Sequence, residues 1–316
     1  MADLRRQAEN EAVHAAVGKS QKLAARVPRL ILEARRVAAT VIHGLHGRRR
    51  AGQGENFWQY RHFVSGEPAG QIDWRRSARD DHLYVREREW EASHTIWMWA
   101  DRSASMDFNS HLTEWSKLDR ALVISFALAE VLVQGGERVG IPDLMRPTAN
   151  RNVIDKMAEA VVHDEAERPS LPPNFAPASF SEVLLLSDFW SPVAEFRRII
   201  GQLAANGARG HVVQIVDPAE ESFPYAGRIE FIEPEGMGSV TAGRAETWRA
   251  NYQALLANHR AALREECEQF GWSFTVHRTD RGPTELLFAI HARMSADAHD
   301  VTTSRQPTRT GKDVHP

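Results

Sequence analysis

Glu182-Val-Leu-Leu-Leu-Ser187, followed by Asp188, is a continuous apolar run of strand length that stops at a carboxylate. A strand with one wet face alternates apolar and polar residues; a run apolar on both faces belongs to a strand covered on both sides. Gly210-His-Val-Val-Gln-Ile-Val216 repeats the pattern and ends at Asp217. His94-Thr-Ile-Trp-Met-Trp-Ala100 is a third such run and opens into Asp101-Arg-Ser-Ala-Ser105. Helical spacing fills the intervals. Leu118, Leu122, Ser125, Ala129 and Leu132 share a face, with Gly135-Gly136 as a stop, and 192–206 follows the strand at 182–187 with Pro192 near its first turn.

Further helices are read at 152–163, 244–270 and 284–294, and further strands at 138–144 and 272–278. Strands alternating with helices of this length predict an α/β protein: a three-layer, Rossmann-like, mostly parallel sheet with helices on both faces. The 316 residues exceed what one such domain needs, so appendages are expected. The organisation read from the sequence is a basic helical segment at 1–50, a segment of short strands and turns at 51–93, the α/β domain at 94–294 and a polar, disordered tail at 295–316. Within the first segment Leu30, Ala34, Val37, Val41 and Leu45 form one apolar stripe.

Composition excludes several classes. With 42% hydrophobic and 26% charged residues the chain is neither collagen-like nor disordered as a whole. A single cysteine, Cys267, rules out an internal disulfide and fits a small core residue in a reducing compartment. The apolar stretch 37–45 is far too short to span a bilayer, and the N-terminus carries no apolar export signal, so a cytoplasmic location with no transmembrane segment is expected. The net charge of -3 conceals a segregation: residues 1–90 carry 17 Lys and Arg against 11 Asp and Glu. Nucleic-acid binding is the weaker explanation, because Arg86-Glu87-Arg88-Glu89 alternates in sign and forms no positive block; a docking or solvated face is preferred.

In open α/β sheets ligands bind beyond the carboxyl ends of the strands, which selects Asp101 and Asp188. Asp101, Ser103 and Ser105 place a carboxylate and two hydroxyls on one loop, and Asp188 can complete the set from the neighbouring strand. All are hard oxygen donors of the kind Mg²⁺ takes. The competing reading is a loop whose serines only cap a helix.

The stretch from Gly52 to Met106 resembles the signature of a bacterial family of proteins of unknown function, number fifty-eight in that series, whose members carry a von Willebrand factor A-like domain. The residues that carry the resemblance are Gly52, Gly54, Glu55, Phe57, Tyr60, Arg61, then Ile72-Asp73-Trp74-Arg75, Ser77-Ala78-Arg79, Leu83, Val85-Arg86-Glu87, Glu89 and Glu91, and the Asp101 loop. It extends from about residue 40 to 293, more loosely after Gly136. Gly70 stands where the family more often carries an arginine, so any charge pair made there is absent. The resemblance implies a metal-ion-dependent adhesion site: Asp101, Ser103, Ser105 and Asp188, with a threonine for which Thr148 is the candidate, would hold Mg²⁺ or a similar cation that a partner's acidic side chain completes. It also implies a partner, a MoxR-type AAA+ ATPase, and a chaperone-like or assembly role. Asp73, Trp74, Arg75, Arg79, Arg86 and Glu87 are read as a structural ion-pair network with an interleaved, buried tryptophan.

No catalytic residue is assigned, and the preferred function is a non-enzymatic protein-interaction module. The alternative is a metal-dependent, phosphatase-like hydrolase using Asp101. It is disfavoured because the position two residues on, where a second acid would serve, is Ser103.

Overall fold

The computed structural model describes residues 2–48, 57–64, 67–79, 81–88, 94–164, 169–234, 236 and 238–304. The chain forms two compact units, residues 44–93 and the remainder. The first helix, α1 (Ala2–Arg48), lies mostly in the larger unit and is therefore part of the α/β domain, not a separate segment. Of the stripe read from the sequence, Leu30, Ala34, Val37 and Val41 are buried and Leu45 is half-buried, while Leu23, Val27 and Ala38 add to the buried face.

In the smaller unit β1 (Phe57–His62) pairs antiparallel with β2 (Tyr84–Arg88), and the short helix α2 (Trp74–Ser77) lies between them in sequence. Asp73 caps α2, its carboxylate accepting the Arg76 backbone N–H at 2.9 Å and the Tyr60 hydroxyl at 3.4 Å. The Arg76 guanidinium lies 4.7 Å from the centre of the Tyr84 ring, and Arg61 pairs with both carboxylate oxygens of Glu67 at 2.9 and 2.7 Å. Trp74 is 61% exposed, and Arg75 and Arg79 are exposed too, so the expected latch around a buried tryptophan is not what α2 builds. A single turn of helix has too little surface to bury its own first indole. The side chains of Arg86 and Glu87, and residues Gly52, Gly54, Glu55, Glu89 and Glu91, lie outside the described ones.

The larger unit is built on β3 (Thr95–Ala100), α3 (Lys117–Gln134), β4 (Arg138–Ile141), β5 (Met145–Thr148), α4 (Val153–Val162), β6 (Glu182–Ser187), α5 (Val193–Ala205), β7 (Arg209–Val216), α6 (Pro218–Ser222), β8 (Ile229–Ile232), β9 (Ser239–Ala242), α7 (Arg249–Gln269), β10 (Ser273–Arg278) and α8 (Thr284–Ser304). Six strands make one sheet in the order β10-β7-β6-β3-β4-β5, all parallel except β5 at the edge. Counted from β3, the order is 3-2-1-4-5-6, so the connections reverse direction between β3 and β6, the place where sheets of this kind carry a crevice at the strands' carboxyl ends. Helices α5 and α7 cover one face through Phe196, Ile200, Leu203, Leu263 and Cys267, packed on Trp99, Val183, Leu185 and Val212. Cys267 is buried and its thiol is pushed up to about 12 by that burial, as suits a core residue.

Helix α3 covers the other face, with α4 and α8 beside it. Helix α1 is tied to the same side by Arg35 to Asp155 on α4 at 2.8 Å and by Arg26 to Asp119 on α3 at 3.2 Å.

Three elements differ from the sequence reading. The strand expected at 138–144 is a hairpin, because Pro142-Asp143 turns the chain with Asp143 in the left-handed region (φ 61°). Helix α8 runs ten residues past Met294, through Ala296 and Ala298 and with no Gly or Pro to stop it, so 295–304 is helix; 305–316 lies outside the described residues. The antiparallel pair β8 and β9 was not anticipated. It covers an aromatic cluster of Phe223, Tyr225, Phe231 and Tyr252.

Candidate functional site

Strands β3 and β6 place Ala100 beside Leu186, so Asp101 and Ser187 leave the sheet side by side and Asp188 follows. Asp101 and Asp188 are completely buried. The Asp101 carboxylate has a partner on each oxygen: the Ser103 backbone N–H donates to Oδ1 at 2.8 Å and the Ser187 hydroxyl to Oδ2 at 2.6 Å. Ser103 and Ser105 bond each other, Oγ to Oγ, at 3.3 Å. Phe189, directly after Asp188, sits in the left-handed region (φ 53°), unusual for an aromatic residue. It is held there by its N–H to Ser187 Oγ (3.1 Å) and by its carbonyl, 2.7 Å from His259 Nε2. The Gln214 amide fixes the Asp188 carbonyl at 2.9 Å.

The residue that organises the other half of the crevice is Lys117, the first residue of α3. Its ammonium donates to Asp188 Oδ2 at 2.7 Å and to Glu220 Oε1 at 2.6 Å. Burial pushes the Lys117 pKa down, but Glu220 and then Asp188 more than offset this, and the net direction is up. Glu220 belongs to a capping box on α6: Asp217 Oδ1 accepts the Ala219 N–H at 2.8 Å, and Glu220 Oε2 accepts the Asp217 N–H at 2.8 Å. The other oxygen of Asp217 accepts the Ser110 N–H at 2.8 Å, which ties the loop after β3 to the end of β7.

Of the residues expected in the site, Asp101, Ser103, Ser105 and Asp188 are brought together, and Thr148 is not. Thr148 is the last residue of β5, opposite Val139, which in turn is level with Ile96 near the start of β3. Five residues of strand, about 16 Å, separate that level from Asp101. The hairpin that split the expected strand carried Thr148 to the far end of the sheet, and the sequence from 149 to 181 contains no threonine to replace it. The donors therefore fit Mg²⁺ poorly: Asp188 is engaged by an ammonium and both oxygens of Asp101 accept protein hydrogens.

Lys117, Ser187, Asp217 and Glu220 were not assigned from sequence. A signal for Lys117 exists, since a lysine in the first turn sits at the positive end of the helix dipole and calls for acids nearby.

Burial raises Asp101 to about 6, against the Ser187 and Ser103 hydrogen bonds. Elsewhere in this unit, His277 on β10 is pushed down to about 4 by burial, helped by Arg120. The two act oppositely on stability. Asp101 binds its proton more readily when folded, so it favours folding as pH falls from about 6 toward its ordinary value. His277 binds its proton less readily when folded, so its stabilisation is complete above about 6.5 and is lost as pH falls toward 4. Urea unfolding of the wild type and His277→Leu at steps from pH 7 to 4 should show the difference between them changing by about 3 kcal/mol, the wild type losing ground in acid. A constant difference would mean that His277 titrates normally in the folded state.

Together these features define a doubly wound α/β protein with a buried, charge-compensated crevice at its topological switch point. The chain belongs to the family described as Protein of unknown function DUF58, whose sequence profile matches residues 59–262. Uncharacterized proteins of Mycobacterium tuberculosis and Mycobacterium bovis are 25% identical over 287 residues, which cover 82% of this chain and 86% of theirs. Among solved structures, the conserved hypothetical protein BatB from Bacteroides thetaiotaomicron aligns with a TM-score of 0.41 at 14% identity over 66% of this chain and 100% of that one. An aerotolerance-related membrane protein from Bacteroides fragilis aligns with a TM-score of 0.39 at 14% identity, over 65% of this chain and 100% of that one. Among the described residues no helix is long and apolar enough to cross a membrane.

Proposed function

We propose that the chain is a non-enzymatic protein-interaction module of the cytoplasm. In this reading the α/β unit is a von Willebrand factor A-like domain, and the partner is a MoxR-type AAA+ ATPase that it serves in a chaperone-like or assembly role. The carrying observation is the rim of the crevice. Phe108 and Leu112, in the loop after β3, and Trp190, after β6, are 37%, 44% and 39% exposed at the carboxyl end of the sheet, around carboxylates that are themselves buried. Large apolar side chains around a rigid polar centre are what a protein partner can cover. Trp190 is also preordered, stacked on His259 with ring centres 5.6 Å apart.

A hydrolase reading gains nothing from this geometry, since a nucleophile at Asp101 would have to be reached through the loop that buries it. The test is capture of the purified MoxR-type ATPase of the same genome by the full-length chain. Wild type should bind, and Trp190→Ala should weaken binding by roughly tenfold or more, as for an anchoring aromatic. Failure of the wild type to bind, or an unchanged affinity of Trp190→Ala and Leu112→Asp, would remove this reading.

A further inference from the structure

We infer that Lys117 is the resident cation of the crevice, so that the site occupies its carboxylates with the chain's own ammonium and works without a divalent metal. This deepens the interaction reading: it says that contact with a partner at this end of the sheet is not bridged by a metal.

Three observations carry it. The Lys117 side chain is buried, and its Nζ lies 2.7 Å from Asp188 and 2.6 Å from Glu220, spacings of full charge-assisted hydrogen bonds. Its backbone is fixed as well. Ser116 caps α3 by accepting the Asp119 N–H at 3.1 Å, and the Lys117 N–H donates to the Phe108 carbonyl at 3.2 Å, so the stem emerges from a closed loop with little room to swing away. A divalent ion bound to Asp188 would sit within a few ångströms of this ammonium in a medium that screens poorly, and like charges there repel strongly.

The remaining donors point the same way. Asp101 uses one oxygen to order the Ser103 backbone and the other to receive the Ser187 hydroxyl, which makes it the anchor of its loop. The two loop hydroxyls bond each other. What a metal would do in this crevice, holding the loop of β3 to the ends of β6 and β7, Lys117 does from the start of α3.

The test uses the full chain and Mn²⁺ as the probe, with free ion followed by its electron paramagnetic resonance signal and the melting temperature measured in parallel. Wild type should take up no stoichiometric Mn²⁺ up to about 1 mM, the weak end of protein cation sites, and should melt at the same temperature with Mg²⁺ or with chelator. Lys117→Met, which leaves Asp188 and Glu220 uncompensated, should gain Mn²⁺ binding and be stabilised by it. One Mn²⁺ per wild-type chain bound below about 100 μM and lost in Asp188→Asn would overturn the inference, and this arm needs no lysine variant to fold. The two readings separate cleanly. Wild type that ignores Mn²⁺ and captures no ATPase keeps the lysine and loses the partner, whereas chelator-sensitive capture with Mn²⁺ uptake keeps the partner and loses the lysine.

Discussion

Lys117→Met should lower the unfolding free energy by about 3–5 kcal/mol, the usual consequence of removing one member of a buried ion pair. Methionine matches the length and apolar character of the lysine stem, so packing changes little and the loss is electrostatic. Without the ammonium, the buried Asp188 keeps the Trp190 N–H at 3.4 Å and is left facing the carboxylates of Asp101 and Glu220, while Glu220, whose side chain is 16% exposed, keeps the Asp217 N–H. Urea unfolding at pH 7 is the measurement, and the midpoint should fall with the slope unchanged. Since domains of this kind are stable by only about 5–15 kcal/mol, the variant would stand near the edge of folding. Adding Glu220→Gln should restore part of the loss by removing one uncompensated charge, and the recovery measures the coupling of the pair. A loss under about 1 kcal/mol would mean that water reaches the carboxylates and that the crevice is not a closed charge cluster.

The sequence made half of this crevice visible, for a physical reason. Asp101 and Asp188 end apolar strands, and a carboxylate that stops a buried run is marked by its contrast with what precedes it. Lys117 has no such contrast: its one mark in Ser116-Lys-Leu-Asp119 is a cation at the positive end of a capped helix, which does not say which acids answer it. Its role depends on Asp188 and Glu220, which are 71 and 103 residues away and are brought to it by the parallel pairing of β3, β6 and β7.

Thr148 failed for the complementary reason. Arg138 to Leu144 is apolar enough to pass for one strand, and only the left-handed Asp143 turns it into a hairpin that returns Thr148 to the wrong end of the sheet. The pair β8 and β9 escaped notice because strands of four residues carry little periodicity. Their contribution is aromatic packing between residues as distant as Phe223 and Tyr252. The closing turn of α7, by contrast, was legible. Gly271 after a helical run predicts a left-handed stop, and the structure has Gly271 at φ 69° with its N–H on the Glu268 carbonyl and the Trp272 N–H on Cys267, a Schellman motif.

That motif aims Trp272 back across the sheet and sets up the second large effect, Gly210→Ala. The indole of Trp272 belongs to the buried cluster that holds Ile200, Leu203, Leu263 and Cys267 and lies against the backbone of β7 at Gly210. A methyl group on Gly210 would stand 1.9 Å from Cε3, 2.0 Å from Cδ2 and 2.3 Å from Cζ3 of that ring, separations no atoms sustain. Neither side can yield cheaply. The strand at Gly210 is bonded between β6 and β10, level with Val183 on one side and one residue before His211, which pairs with Ser273, on the other. The ring's position is fixed by the helix stop one residue before it. Alanine must therefore expel or tilt the indole, and the cost should reach about 3 kcal/mol or more, at or beyond the top of the usual range for overpacking. Urea unfolding reads the loss, and near-ultraviolet circular dichroism should show weaker tryptophan signals. Gly243→Ala serves as the control, because nothing lies within 4 Å of its added carbon; it should be neutral or stabilise by about 0.5 kcal/mol through the unfolded chain. The decisive comparison is Gly210→Ala combined with Trp272→Leu. If the clash is the cause, the double variant loses clearly less than the two single losses added together, because the smaller side chain leaves room for the methyl group. Additive losses would instead place the cost in the strand backbone, with the indole uninvolved.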